Sequence, residues 1–336
     1  MKKLVLATLL AAATGLASAQ TIYGIVDLGV TTATNAAGTT KSATGVSNGG
    51  LSTSRFGITG GEDLGNGLKA SFTLEGELLA DSGAQGTTAT DLFHRGAFLK
   101  LDQDGLGGVR IGRFNRHDYT QAVKYDNFGG NNIGGWVASN SGTVDLSVNQ
   151  RISNAVEVQS ASIGGLVVTA QYGFGEVAGA TESGRTQVVG AEYTLGKASV
   201  AATYAEKNAT TAGYATTKAT SVYASYDLGV AKVNGGYAKV ETEGSSVKPS
   251  GYYVGAIAPV TAKVSAIAQY NAFNDDAGHK PKTYALGATY AFSKRTTGYV
   301  IGAHSDQDGN SAQNVVSTTK YSGFAAPAAG LNQTVA

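Results

Sequence analysis

Alternating apolar and polar residues through Leu51–Leu78 leave few folds open to this chain. In the second half the apolar or small residues are Leu68, Ala70, Phe72, Leu74 and Gly76, with Lys69, Ser71, Thr73, Glu75 and Glu77 between them. Side chains of a β-strand point to opposite faces in turn, so each half predicts a strand with one apolar face. The EDLGNG sequence between the halves suits a tight turn. The stretch therefore predicts a hairpin whose apolar face must be covered.

The same alternation recurs along the rest of the chain, in sixteen segments if the ragged end at 333–336 is included. The links between the segments alternate in length. Short turns such as Asp63–Gly67 and Leu195–Lys197 alternate with long polar links such as Thr34–Gly50 and Asn208–Lys218. An antiparallel meander with tight turns at one end and loops at the other gives this rhythm, which is the layout of an outer-membrane barrel.

Tyrosines mark the ends of the apolar faces. Tyr172, Tyr204, Tyr237 and Tyr270 close strands that lead into long links and are spaced by 32 or 33 residues. Tyrosine prefers the boundary between hydrocarbon and headgroups, so lipid is the predicted cover. A sheet in lipid must pair all its backbone groups, which requires closure. The sequence predicts an all-β fold, a 16-stranded antiparallel transmembrane β-barrel around an aqueous bore.

The N-terminus indicates the compartment. Lys2, Lys3, the apolar run Leu4–Leu16 and the Ala17–Ala19 cleavage site predict a secretory signal over residues 1–19. Residues 20–336 then form a single barrel domain. Its formal charge is −1, because removing two lysines leaves 23 basic and 24 acidic residues. This balance argues against a nucleic-acid partner, and the absence of cysteine excludes disulfides and thiolate metal sites.

The link at Asn115–Val148, the third of the long links, differs from the others in composition. It carries Tyr119 and the chain's only tryptophan, Trp136, among glycines and asparagines. We expect it to fold into the lumen, pack these rings on the wall and present Asp118, Asp126 or Asp145 to water. The alternative is an extracellular loop covered by a partner subunit.

Three arginines are predicted to line the bore. Arg55, Arg95 and Arg151 lie at similar heights on alternate strands that run from a long link to a short turn. A column of cations facing water favours anions. Carboxylates on the loop would complete a transverse field, to which Glu77 could contribute. Three unrelated solvated arginines are the alternative.

By these features the chain resembles the trimeric general porins of Gram-negative outer membranes, in their betaproteobacterial branch. The resemblance is carried by TIYGIVDLGV (21–30), SRFGITGGEDLGNGLKASFTLEGEL (54–78), HRGAFLKLDQDGLGGVRIGR (94–113), RISNAVEV (151–158) and TAQYGFGE (169–176). It implies a homotrimer of 16-stranded barrels in the outer membrane, in contact with lipid and lipopolysaccharide. It also implies an inward third extracellular loop at about 115–148, passive diffusion of small hydrophilic solutes, and a frequent preference for anions.

The resemblance also assigns roles to residues. Arg55, Arg95 and Arg151 are similar in position to the wall arginines of the family, whereas Asp118 and Asp126 correspond less closely to its acidic residues. These porins end in a strand with a terminal aromatic residue. Here the sequence stops at NQTVA, so the last strand is expected to be incomplete at residue 336.

The sequence leaves some other functions to consider. A solute-specific channel for phosphate or small organic acids remains open. An outer-membrane barrel enzyme needs a nucleophile and a base, but none of His94, His117, His279 and His304 accompanies a G-x-S-x-G motif or paired-His spacing. A secreted β-solenoid adhesin would not alternate its loop lengths. We expect no enzymatic activity, no cofactor and no metal site.

Overall fold

The computed structural model describes residues 20–36, 39–86, 91–139, 150–210, 215–308 and 330–336. The predicted signal, residues 1–19, lies outside them, as do the last residues of the predicted inward loop, Asp145 among them. The fold is all-β and antiparallel, as predicted. The strands are β1 (Thr21–Ile25), β2 (Leu28–Ala33), β3 (Ala43–Asn48), β4 (Arg55–Gly65), β5 (Leu68–Leu79), β6 (Ala84–Gln85), β7 (Gly96–Gln103), β8 (Gly107–Asn115), β9 (Arg151–Ser160), β10 (Leu166–Gly173), β11 (Thr186–Leu195), β12 (Ala198–Asn208), β13 (Thr216–Asp227), β14 (Lys232–Thr242), β15 (Ser250–Pro259), β16 (Val264–Asn274), β17 (Lys282–Ala291), β18 (Thr297–Asp306) and β19 (Gln333–Val335).

Strand pairing follows chain order over most of the sheet. Each strand from β7 to β18 pairs with its neighbours in sequence, and β5 joins β4 to β7. The first two strands pair differently: β1 pairs with β4, and β2 pairs with β3. The last strand, β19, pairs with β18 and, through Val335 and Ala33, with β2.

The described residues hold 19 strand segments rather than the sixteen predicted. One reason is a break between β1 and β2, where the buried Asp27 holds a network. Its carboxylate accepts the backbone N–H groups of Leu51 and Ser52 and the hydroxyl of Tyr299. The ladder is interrupted there because polar groups of Asp27 bond to other elements. The chain also leaves the sheet between β3 and β4, and β6 is a two-residue strand on the end of β5.

The two faces of the sheet differ as the alternation predicts. One face, here called the apolar face, leaves large hydrophobic side chains uncovered, with Leu286 69% and Val222 48% exposed. Three of its tyrosines, Tyr252, Tyr270 and Tyr284, form a row on adjacent strands with ring centroids 6.2 and 5.2 Å apart. The opposite, polar face buries residues such as Thr203 and Ser221, whose hydroxyls bond each other across β12 and β13.

Helices are few in the described part of the chain. α1 spans His117–Tyr125 and α2 spans Trp136–Ser139, both between β8 and β9. No helix among the described residues is long and apolar enough to cross a membrane.

Candidate functional site

The chain between β8 and β9 lies across the polar face of the sheet. We call residues 116–139 the cross-segment. Its first helix is bonded to β10 through His117 N–H and Gln171 Oε1 at 2.9 Å. Further along, Asn127 N–H donates to Gln269 Oε1 on β16 at 3.0 Å. Asn132 Nδ2 then donates to the carbonyl of Leu51 at 2.7 Å. One short segment therefore bridges strands that are far apart in the sheet order.

Aromatic stacking fixes α1 and α2 to the wall. Trp136 is 1% exposed and stacks on Phe273 of β16, with ring centroids 5.0 Å apart and planes 11° from parallel. It also meets Tyr253 of β15 at 5.1 Å. Tyr125 stacks on Tyr223 of β13 at 5.8 Å. Such pairs each contribute about 0.5–1.5 kcal/mol beyond their burial. The hydrophobic residues of the link thus pack on the wall.

The residues between the two helices pack on the remaining strands. Phe128 and Ile133 are buried in a cluster with Ile267, Ala285 and Ile301. Gly134 has a φ of +73°, and a Cβ there would lie 2.3 Å from the Cβ of Ala285. Only glycine fits this close approach, so the cross-segment lies directly against the wall at β17.

Asp126 is buried inside the cross-segment instead of facing open water. Its carboxylate accepts the backbone N–H of Phe128 at 2.7 Å and that of Trp136. Burial raises the pKa of Asp126 to about 7. The structure therefore differs from the expectation that Asp126 presents a charge to the bore. The reason is local: the chain turns back on itself between α1 and α2, and Asp126 bonds the turn closed.

The three predicted arginines lie together on the polar face. Arg95 Nε lies 2.7 Å from Glu75 Oε1, and Arg55 Nε lies 4.0 Å from Glu75 Oε2. Arg151 Nε donates to the carbonyl of Arg95 at 3.2 Å. We call Arg55, Arg95 and Arg151 the arginine cluster. Glu75, which the sequence reasoning missed, forms ion pairs with two of these arginines and also accepts the Tyr23 hydroxyl at 2.8 Å. Its parity on β5, the same as that of Glu77, was the available signal.

Asp118 does not face the arginine cluster from the loop, contrary to the expectation, and Glu77 lies on the same wall as the arginines. Glu77 is buried beside them, with its Oε2 3.5 Å from Arg95 Nη1 and 3.4 Å from His94 Nε2. Asp118 pairs with its neighbour Arg116, whose Nε donates to Asp118 Oδ1 at 2.9 Å. Glu77 lies beside the arginines because it is on the same face of β5 as Glu75, two residues further along the strand. Asp118 forms an ion pair with Arg116 because the start of α1 places the two side chains next to each other.

Tyr119 borders the space in front of the arginine cluster. Its ring centroid lies 5.9 Å from the Arg151 guanidinium carbon. Its hydroxyl accepts from Asn131 Nδ2 at 3.5 Å. Tyr119 thus connects the cross-segment to the arginine cluster, whereas Trp136 connects it to β15 and β16.

A cavity of about 620 Å³ lies between α1 and the polar faces of β5 to β11. The arginine cluster reaches it through Arg95. Further basic and acidic side chains line the cavity toward the tight-turn end of the sheet, among them Lys100, Arg110 and Glu157.

Comparison with known proteins gives consistent matches. The family model described as Gram-negative porin matches residues 6–310. The chain is 33% identical over 317 residues to outer membrane porin protein 32 of Delftia acidovorans, covering 89% of this chain and 88% of that one. It is 28% identical over 367 aligned positions to an outer membrane porin of Bordetella pertussis, with coverages of 90% and 94%. A solved anion-selective porin from Comamonas acidovorans superposes with a TM-score of 0.84 at 29% identity, over 95% of this chain and 97% of that one.

Proposed function

This chain belongs to the Gram-negative porin family, and on that premise we propose that it forms a water-filled channel with a mild preference for anions. It lies in the outer membrane, where it lets small hydrophilic solutes and ions diffuse passively. The observation that carries the proposal is the arginine cluster on the polar face, facing a cavity that the cross-segment leaves open.

The channel wall is a barrel of 16 strands. In this interpretation β1 and β2 are two parts of one strand interrupted at Asp27, and β3 and β4 are two parts of the next. The two-residue β6 is part of a loop. The pairings support closure, because the path from β1 through β4, β5 and β7 to β18 returns through β19 to β2. A closed sheet leaves no edge unpaired in the hydrocarbon layer.

The cross-segment is the inward third loop, and it narrows the channel. Its bonds to β10, to β16 and to Leu51 support this role, since a loop outside the sheet could not reach the polar face at all three places. It leaves open the side where the arginines lie. Solutes therefore pass between the cross-segment and the arginine cluster.

The preference for anions follows from the charges at this passage. Arg55, Arg95 and Arg151 carry three positive charges, against two carboxylates, Glu75 and Glu77. Arg151 forms no ion pair with any described carboxylate. A net positive charge at a narrow aqueous passage raises the local concentration of anions. The solved relative described as anion-selective supports the same sign.

The channel assembles as a homotrimer. Tyrosines lie on the apolar faces of β10 to β17, while no described residue of β1 to β9 places a tyrosine there. Tyrosine marks contact with the membrane interface. The arc β1 to β9 is therefore the face that meets neighbouring copies, and the tyrosine-bearing arc meets lipid and lipopolysaccharide. Residues 1–19 are removed on export, which N-terminal sequencing of the mature protein, starting at Gln20, would verify.

Planar-bilayer recording of the purified protein tests the function. We expect stepwise increases in conductance and, in a potassium chloride gradient, a reversal potential with the sign of anion preference. An absence of open-channel steps would contradict the channel. A clear cation preference with all three arginines intact would contradict the role of the cluster.

A further inference from the structure

The cavity beside α1 carries nearly balanced charges. Its basic side chains are Arg95, Lys100, Arg110 and Lys124, and its acidic ones are Glu75, Glu157 and Glu192. A simple anion there meets three carboxylates, and a simple cation meets four basic groups. A solute that carries both charges can meet groups of each sign at once. Its transfer from water into the cavity therefore costs less free energy than that of a simple anion or cation.

Ion pairs hold these charges in fixed positions. Arg110 Nη2 lies 2.6 Å from Glu157 Oε2, and its guanidinium carbon lies 4.9 and 4.2 Å from the ring centroids of Phe98 and Phe114. Gln171 Nε2 also donates to Glu157 at 2.7 Å. Across the cavity, Lys124 pairs with Glu192. Groups fixed in this way need little reorganisation when a ligand arrives.

Gln121 supplies an unused acceptor at the α1 side of the cavity. It is 3% exposed, and its Nε2 lies 3.3 Å from both His117 Nε2 and Glu192 Oε2. This orientation is the favourable one, because the reverse would place the amide oxygen against the Glu192 carboxylate. Gln121 Oε1 then has no hydrogen-bond partner. If the Gln121 side chain turns toward the cavity, a ligand N–H group supplies the hydrogen bond that this oxygen lacks.

His117 can accept a hydrogen bond from Gln121 in its neutral form. Burial lowers the pKa of His117 below its ordinary value. A neutral His117 accepts the Gln121 amide on Nε2, which keeps Gln121 Oε1 directed away from the ring. At the opposite side Arg110 Nε is buried and has no hydrogen-bond partner. Gln121 and Arg110 both line the cavity, and each carries one buried polar atom without a hydrogen-bond partner.

We propose that this cavity is a binding site for small zwitterions of the amino-acid type. The ligand ammonium group lies against Gln121 Oε1 and the Glu192 carboxylate. The ligand carboxylate lies toward Arg95, Lys100 and Arg110. The site rests on the proposed channel function, since it lies on the passage beside the arginine cluster, and it adds a solute class to that function.

Single-channel recording with β-alanine tests the site. Propionate and ethylamine serve as the two halves of the same molecule, each with one charge, at constant ionic strength. We expect β-alanine to reduce the current with a saturating dependence on concentration, and each half to act at least tenfold more weakly. A reduction that rises linearly for all three solutes would overturn the proposal.

Variants locate the effect. Glu192→Gln removes the negative partner of the ligand ammonium, and a charge-assisted hydrogen bond of this kind corresponds to a loss of roughly tenfold in affinity. Propionate should then act more strongly, because one carboxylate is gone and Lys124 is unpaired. Gln121→Met, of similar size, should also weaken β-alanine. Thr203→Ala is the control, since its hydroxyl meets only Ser221, outside the cavity.

Direct binding separates this proposal from the channel itself. Saturation-transfer NMR on the folded protein in detergent detects β-alanine without any measurement of current. If the channel opens with anion preference but wild type and Glu192→Gln bind β-alanine equally, the site is wrong and the channel stands. If β-alanine binds with the expected dependence on Glu192 but no open-channel steps occur, the site stands and the channel function is wrong.

Discussion

The two sides of the cross-segment are held by different forces. Toward β12 to β18 it is close-packed, with Tyr125, Phe128 and Trp136 buried against the wall. Toward β4 to β11 it meets the arginine cluster and an open cavity, with Tyr119 at the border. The packed side fixes the position of the segment, and the ionic side borders the passage that we propose for solutes. Positioning and selectivity are thus assigned to different residues, and they can be changed separately.

The packed side should respond most strongly to substitution. Trp136→Ala removes the stacks on Phe273 and Tyr253 and leaves a cavity, which costs about 3–5 kcal/mol in the free energy of unfolding. We expect a lower thermal midpoint in detergent and a larger single-channel conductance, because the segment is released from the wall. Phe292→Ala, an aromatic that is 64% exposed on the apolar face, is the control and should change neither strongly. An unchanged conductance in Trp136→Ala would show that the stacks do not hold the segment.

Asp126 makes the packed side sensitive to pH. Its pKa is raised from 3.8 to about 7 by burial. The neutral carboxyl is therefore favoured in the folded state, and its stabilisation is complete below pH 3.8 and is lost as the pH rises to about 7. The slope of the free energy of unfolding approaches about 1.4 kcal/mol per pH unit in that window.

The measurement is thermal unfolding in detergent at pH 5 and pH 8. We expect a lower midpoint at pH 8 in the wild type and a smaller difference in Asp126→Asn. An equal difference in both proteins would assign the pH dependence to other groups.

The ionic side should respond in selectivity and little in stability. Arg151→Ala removes the cluster's one cation without a carboxylate partner among the described residues. A unit charge about 7 Å from an ion in water changes its energy by a few tenths of a kcal/mol, so the anion-to-cation permeability ratio should fall roughly threefold. The reversal potential measures this ratio. Lys239→Ala is the control, because it removes the same charge from β14, away from the arginine cluster. There Lys239 pairs with Glu241, so the permeability ratio should not change.

Tyr119 stands at the border and should show the smallest effect. Tyr119→Leu removes a ring that lies 5.9 Å from the Arg151 guanidinium carbon, near the limit of a cation–π contact. We expect less than about a twofold change in permeability ratio and a small rise in open-channel noise. A change as large as that of Arg151→Ala would mean that Tyr119 orients the arginine.

Local patterns explain what could be predicted from the sequence. The strands were predictable because alternation with a period of two is visible in neighbouring residues. The packing of the long polar link on the sheet was predictable, because Trp136 in that link needs an apolar partner. The break at Asp27 was not, since it depends on Tyr299, 272 residues away. Likewise, the parity of Glu75 and Glu77 predicts the face they share but not which of the two forms the ion pair with Arg55.

The anchors of the cross-segment also carry a consequence for folding order. Asn127 bonds to Gln269, 142 positions away, and His117 to Gln171, 54 positions away. Contacts between residues so distant in sequence form after local pairs, because long chain loops must close first. The hairpins that contain β10 and β16 therefore form before the cross-segment can bond to them, and until it docks the polar face of those strands is uncovered.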